Sequence, residues 1–299
     1  MHCPVCDSAE LAPFASRGRI AEELAVRREF FAARIDGAID WSGMKDRFDV
    51  LHNTATAIRI CEACKVLVRE DDCREFESDP YPAYLMERML RAQIDAYRAK
   101  GHWLRPMLPA GANVVEVGSY VGAFLHVAHE WGWTAMGVDV GEDTARFAAA
   151  HSYPTRQASL ESCGFETSSF DAVFIWNTFE QVDDPRSLLK ESRRIARAGG
   201  LLAIRTPNAS FYATEHDLET LAWSNLLGFP HRYGFTRAAL ARLANECGFA
   251  LIECRDDVYM PTMRERFNAL ARKEEDDVTR ALRESGRAPW IECLYRAQA

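Results

Sequence analysis

The sequence predicts an α/β fold, an open sheet of buried strands alternating with helices, preceded by a small cysteine-bearing module. Three observations predict it. Val114-Val115-Glu116-Val117 is an apolar run that ends in a Gly-bounded turn, Gly118-Ser119-Tyr120-Val121-Gly122, and opens into helix-forming Ala123-Phe124-Leu125. About 20 residues later a second apolar run closes on Gly137-Val138-Asp139, the spacing of a strand, turn, helix and second strand. Ahead of that unit stand two C-x2-C pairs, Cys3-Pro4-Val5-Cys6 and Cys61-Glu62-Ala63-Cys64.

The cysteine pairs define the first element. Each offers two thiolates at a spacing that lets both face one ion, and two pairs complete a tetrahedral S4 zinc site. Cys3, Cys6, Cys61 and Cys64 fill the shell and leave no position for water, so the metal is expected to be structural. Residues 7–60 are long for a simple ribbon and contain a helix-like insertion, Ile20-Ala21-Glu22-Glu23-Leu24 through Phe30-Phe31 and Ile35. Ala57-Ile58-Arg59-Ile60 reads as a strand feeding the second pair, with Val66-Leu67-Val68 as its return. Cys73, Cys163, Cys247, Cys254 and Cys293 have no partner spacing and read as packing residues. Nine cysteines without a secretory signal argue against a disulfide framework.

Asp79-Pro80-Tyr81-Pro82 marks a boundary, and the stretch from Ala83 to about Leu104 reads as an amphipathic connecting helix. The organisation is therefore residues 1–78 as the zinc-binding module, 79–110 as connecting helix, and 111–299 as the α/β domain. Within that domain a helix is expected over about 142–150, then a strand at Ser169-Phe170-Asp171-Ala172-Val173-Phe174-Ile175-Trp176-Asn177. Asp184 is placed as an N-cap with Pro185 at the first helical position. That helix is expected to run from Arg186 to Ala198 and to stop at Gly199-Gly200. Leu201–Asn208 follows as a strand. Thr236 caps a helix that Gly248 ends, Phe249–Cys254 is a further strand, a charged helix occupies about 262–285, and Trp290–Tyr295 is the last strand.

Composition bounds the function. The chain has 299 residues, 48% hydrophobic and 27% charged, enough for one large core plus a small module. No run of 18 apolar residues is present and the start lacks a signal-peptide pattern, so a cytoplasmic location is expected. A formal net charge of −8, acidic in both residues 1–100 and the remainder, weighs against polyanionic partners such as nucleic acid, and the lack of an apolar run weighs against a membrane span.

Two cofactor classes fit the Gly118–Gly122 turn. A dinucleotide site requires G-x-G-x-x-G, but the positions in question here are Gly118, Tyr120 and Ala123. What stands instead, Glu116-x-Gly118-x-x-x-Gly122, resembles motif I of the class I S-adenosylmethionine-dependent methyltransferases, with Tyr120 in place of that family's middle glycine. The resemblance continues in order through Phe170-Asp171-Ala172-Val173, Glu180-Gln181-Val182-Asp183-Asp184-Pro185, Gly199-Gly200-Leu201-Leu202 and Pro207-Asn208, and covers roughly residues 110–256.

The resemblance implies a Rossmann-like seven-stranded sheet of order 3-2-1-4-5-7-6, with S-adenosyl-L-methionine as cofactor. It implies that Glu116 and the turn Gly118, Ser119, Tyr120 and Gly122 hold the methionine portion and Asp139 the ribose, that Ser159 and Leu160 flank the adenine, and that Val140 is a further cofactor contact. Asn177 ends the fourth strand of the domain at the mouth of the sheet. Gln181 replaces the histidine of the family's EHV segment and cannot act as a base. The acceptor-side residues are then His231, within Pro230-His231-Arg232-Tyr233-Gly234-Phe235-Thr236, and His216, with Phe211 and Trp223 as aromatic walls. His126 and His129, three apart on one helix, read as a solvated face. The implied reaction is methyl transfer to a hydroxyl, or an amine, of a sugar or other secondary metabolite. An rRNA or protein methyltransferase that docks through the zinc module, and a non-catalytic binding protein, are the alternatives.

Overall fold

The computed structural model of the chain describes residues 2–34, 56–70, 83–214, 231–257 and 288–299. They form two compact units. One comprises Met1–Asp79, Pro207–Ala239 and Asp256–Ile291, and the other comprises Pro80–Thr206, Leu240–Arg255 and Glu292–Ala299.

The first unit starts with β1 (Leu11–Ala15) and α1 (Arg17–Arg34), then β2 (Ile58–Cys61) and β3 (Leu67–Arg69). β2 pairs antiparallel with both β1 and β3. The helical insertion expected between the cysteine pairs is α1, whose Ile20 and Leu24 are buried one turn apart. A fourth strand, which local periodicity does not announce, is β9 (Tyr233–Gly234). It adds antiparallel to β3 and closes a sheet of order β1-β2-β3-β9.

The remaining elements, in chain order, are α2 (Ala83–Ala99), β4 (Asn113–Val117), α3 (Ala123–Glu130), β5 (Thr134–Asp139), α4 (Glu142–Ala150), β6 (Thr155–Gln157) and β7 (Phe170–Trp176). They continue with α5 (Pro185–Ile195), β8 (Ala196–Pro207), α6 (Ala209–Thr214), α7 (Arg237–Glu246), β10 (Phe249–Asp256) and β11 (Trp290–Ala297). The sheet order β10-β11-β8-β7-β4-β5-β6 is, counted along the domain, the expected 3-2-1-4-5-7-6. β4 is an inner strand, parallel to β5 on one side and β7 on the other. Helices cover such a sheet on both faces, which is why β4 and β7 read as near-continuous apolar runs rather than alternating ones. Phe124 of α3 anchors the packing, with ring centroids 4.6 Å from Phe174, 5.4 Å from Tyr97 and 5.6 Å from Trp176.

Three expectations change. α5 ends at Ile195, not Ala198, and Ala196–Gly200 already belong to β8. The register of β8 on β7 shifts there, Gly199 has φ +74°, and a Cβ on Gly200 would lie 2.9 Å from the Arg197 carbonyl oxygen, so the glycines build a bulge rather than a helix stop. The helix of 83–104 breaks at Ala99 and resumes as a short turn at Gly101–Leu104. Cys254 and Cys293, read as packing residues, form a disulfide with Cα atoms 4.1 Å apart, because they lie on the neighbouring strands β10 and β11. The N-cap reading holds: the Asp184 carboxylate accepts from the Arg186 and Ser187 amides at 2.9 and 3.0 Å. The charged helix expected over about 262–285 lies outside the described residues. Among the described residues no helix is long and apolar enough to cross a membrane.

Candidate functional site

The glycine turn sits at the carboxyl end of β4, where open α/β sheets take their ligands. Its path is fixed by sterics. Gly118 has φ +72°, and a Cβ there would lie 1.9 Å from Thr178 Oγ1. Gly122 has φ +78° and is the N-cap of α3, which receives no side-chain cap. Tyr120, in the position where the resembling family carries glycine, also adopts a left-handed backbone, φ +47°. A bulky residue pays about 1–2 kcal/mol for that conformation.

Asp139, at the tip of β5, supplies the compensation. Its Oδ2 accepts from the Tyr120 amide at 2.8 Å, while Oδ1 accepts from the Gly141 amide and the Thr144 hydroxyl, each at 2.8 Å. Three of the roughly four acceptor positions of a carboxylate are therefore used within the protein. Asp139 clamps the turn and retains one acceptor position. Val140 beside it is 65% exposed, an apolar side chain left open at the rim. The Ala158 amide donates to the Asp139 carbonyl at 3.0 Å, which brings Ser159 and buried Leu160 to the same strand tip.

Glu116 is buried in β4, and its Oε2 has no hydrogen-bond partner among the described residues. Burial, aided by the neighbouring Asp139 charge, pushes its carboxyl well above the usual carboxylate range. Ser119 is likewise buried with its hydroxyl unpartnered among the described residues, and it packs so closely on Gly137 that a Cβ there would lie 2.4 Å from Ser119 Oγ. Orphaned polar atoms beside a glycine turn are what a polar ligand would satisfy.

Asn177 follows β7 with φ +56°. Its amide donates to the Arg205 carbonyl at 3.1 Å, its side-chain oxygen accepts from the Arg205 guanidinium, and its carbonyl accepts from Gln181. The side chain is thus tied back to β8, so its contribution to a ligand site is one of shape. Glu180 is fully buried, and desolvation raises its carboxyl to about 8 against the smaller opposing pull of Arg205 and Thr206.

In the first unit the four cysteines converge, with all four sulfurs within 4.8 Å of one another. Cys3 and Cys64 are 3.4 Å apart, and Cys6 and Cys61 are 3.5 Å apart. A tetrahedron of Zn–S bonds has edges of about 3.8 Å, so the set fits. The two knuckles repeat one geometry. Asp7 and Lys65, each directly after the second cysteine, have φ +59° and +60°, and their amides donate to the carbonyls of Cys3 and Cys61 at 2.9 and 2.8 Å. The hydrogen bond from Cys64 lowers the Cys3 thiol to about 5, and the same contact pushes Cys64 upward.

His231 also belongs to the first unit. Its ring is buried and meets Trp290 edge to face at 5.8 Å, and its carbonyl accepts from Arg69 Nε at 2.9 Å. His216 and Trp223 lie outside the described residues, whereas Phe211 is buried in α6. His126 is engaged by Tyr153 and Glu130, and His129 is exposed. The structure brings Glu116, the 118–122 turn, Asp139, Val140, Ser159, Leu160 and Asn177 to the carboxyl ends of adjacent strands, and it gathers the cysteines separately. Sequence reasoning missed Thr178, Thr144, Arg205 and Tyr153, which hold these residues. Only Thr144, in the first turn of the helix after Asp139, carried a local signal.

A family model described as "Methyltransferase domain" matches residues 88–254. A ubiquinone biosynthesis O-methyltransferase of Xanthomonas axonopodis is 27% identical over 164 residues, covering 51% of this chain and 69% of that protein. An uncharacterised protein of Mycobacterium tuberculosis is 28% identical over 171 residues, 55% of this chain and 56% of its own length. The chain thus spans little more than half of that relative. A chain from the complex between the Haloferax volcanii Trm112 methyltransferase activator and a methyltransferase aligns with a TM-score of 0.54 at 17% identity, covering 73% of this chain and 94% of that one, a likeness of fold.

Proposed function

The chain belongs to the methyltransferase-domain family, and we propose that it transfers a methyl group from S-adenosylmethionine to a hydroxyl, or an amine, of a small molecule. The observation that carries this reading is the clamped turn. A left-handed Gly118-to-Gly122 path, fixed by Asp139, leads from buried Glu116 with its unpartnered oxygen to α3. The residues fit the cofactor: Glu116 and the turn would hold its methionine end, the remaining acceptor position on Asp139 its ribose, and Val140 with Leu160 its adenine. The bound cofactor supplies an electrophilic methyl group on a sulfonium.

The chain's own contribution is binding and orientation. Glu116, whose carboxyl burial raises well above the usual carboxylate range, is placed to pair with a cationic group that arrives beside it. The glycines let backbone approach a ligand without a Cβ in the way. For a hydroxyl acceptor a base must take the proton, and we assign that role to His231, with His216 next. Hydroxyl transfer is supported by the O-methyltransferase named among the relatives, and the acidic balance of the chain favours a small acceptor over RNA. The four cysteines we assign to one structural zinc ion.

The test is a turnover assay by mass spectrometry with hydroxylated and aminated small molecules as acceptors. Formation of S-adenosylhomocysteine together with a methylated acceptor supports the reading. Methylation of RNA or protein alone, or of nothing by a protein that binds S-adenosylmethionine, would replace it.

A further inference from the structure

Tyr153 belongs to none of the motifs. It lies between α4 and β6, yet its ring meets the glycine that ends the turn: a Cβ on Gly122 would stand 2.4 Å from Tyr153 Cδ2 and 3.0 Å from Cγ. The ring is held from several sides. Its hydroxyl bonds His126 Nδ1 at 2.9 Å on α3, and His126 Nε2 bonds Glu130 at 3.1 Å. That carboxylate is held in turn by Arg98 Nε of α2 at 2.8 Å. On the other side His151 stacks on Tyr153, with ring centroids 6.0 Å apart and planes at 14°, and bonds Glu87 of α2 at 2.9 Å. The Tyr153 amide donates to the Ala148 carbonyl at 2.9 Å, fixing the backbone that carries the ring.

Glycine visits both signs of φ at little cost, so a glycine turn left to itself is an ensemble. A ring wedged against Cα removes that freedom without adding a Cβ. We propose that Tyr153 is a positioning residue of the methyl-donor site. Its ring holds Gly122 in the left-handed conformation, and its two histidine neighbours, tied through Glu130–Arg98 and Glu87, help to seat the ring, which is the part that acts on the turn. The amides from Gly118 to Ala123 are thereby set before the cofactor arrives, which lowers the ordering cost of binding. This rests on the reading of the turn as the S-adenosylmethionine site.

The test compares wild type, Tyr153→Phe and Tyr153→Ala by calorimetric titration with S-adenosylmethionine, by kcat at saturating cofactor, and by hydrogen exchange at residues 118–123. Tyr153→Phe, which keeps the ring, is expected to stay within about threefold of wild-type affinity. Tyr153→Ala is expected to raise Kd by about tenfold or more, equivalent to about 1.4 kcal/mol, with kcat within about threefold. Exchange of the 118–123 amides should accelerate in the Ala variant alone. If Tyr153→Ala does not fold, Tyr153→Leu, which fills part of the space, is read by the same criteria. A lower melting temperature with wild-type Kd and wild-type exchange overturns the proposal and leaves Tyr153 a packing residue. If the wild type takes up no S-adenosylmethionine, the functional reading falls, and exchange still decides: unchanged rates at 118–123 overturn the positioning role too.

Discussion

Strands β4 and β7 bury almost every side chain they carry, while in the sheet β1-β2-β3-β9 the strands are two to five residues long and β1 buries only Ala15. The parallel sheet gains its stability from apolar area removed from water, at about 25 cal/mol per Å2. In the small sheet β3 and β9 are buried throughout but are only three and two residues long, and the unit also gathers four sulfurs within 4.8 Å. The two regions also handle left-handed backbone differently. In the cysteine knuckles it falls on Asp7 and Lys65, exposed residues whose amides simply close the turn. In the glycine turn it falls on Gly118, Tyr120 and Gly122, each held by a named contact from Thr178, Asp139 or Tyr153. The first region thus gathers a candidate ligand set, whereas the left-handed residues of the glycine turn are held by packing.

The largest expected effect follows from the ligand set. Cys61→Ser should abolish bound zinc, and with it folding free energy on the order of 10 kcal/mol, the scale of structural zinc in small modules. Metal analysis and hydrogen exchange should show β1–β3 unprotected and β4–β7 still protected. Joint loss of both would break the comparison.

A second break would come from chemistry. If His231 is the base, His231→Ala should lower kcat by about 10²–10⁴-fold while S-adenosylmethionine affinity stays within a few-fold. A variant with near wild-type turnover returns His231 to packing against Trp290, and His216→Ala becomes the next variant to measure.

Gly118→Ala sharpens the packing side. It adds left-handed strain and a Cβ 1.9 Å from Thr178 Oγ1, so a loss of stability of about 3 kcal/mol is expected by denaturant unfolding. Gly132→Ala, at φ +81° with nothing within 4 Å, should lose only the strain. Equal losses would remove the case for the Thr178 contact.

A further effect is in pH dependence. Glu180 has its carboxyl raised from 4.5 to about 8 by burial, so between those values the folded state holds a proton that the unfolded state has released. Its contribution is present in full below pH 4.5 and is lost as pH rises to about 8. Glu180→Gln should flatten the fall in stability over that window, and an unchanged slope would show that another group sets it.

Much of this was legible in the residues. The β4 turn and the Asp184 cap follow from apolar runs, glycines and caps that act over a few residues, whereas the order of the seven strands was legible only through the family resemblance. β9 was not legible, because two residues with no periodicity become a strand only when β3 offers an edge. Cys254 and Cys293 stand 39 residues apart, and only the β10–β11 neighbour relation makes them partners. The glycines at 199 and 200 carry the same signal for a helix stop and for a bulge, and pairing with β7 decided the matter. In the candidate site, the residues at the strand tips and in the turn were legible by motif, whereas their supports, Thr178, Tyr153 and Arg205, come from distant segments and carry no pattern.

The most direct measurement is a calorimetric titration of wild type and Asp139→Ala with S-adenosylmethionine and, separately, with NAD. The account predicts saturable binding of S-adenosylmethionine to the wild type and none of NAD. It further predicts that Asp139→Ala, which frees the Tyr120 amide and removes the remaining ribose acceptor, weakens binding by about 1.5–3 kcal/mol. Unchanged affinity in Asp139→Ala, or a preference of the wild type for NAD, would contradict it.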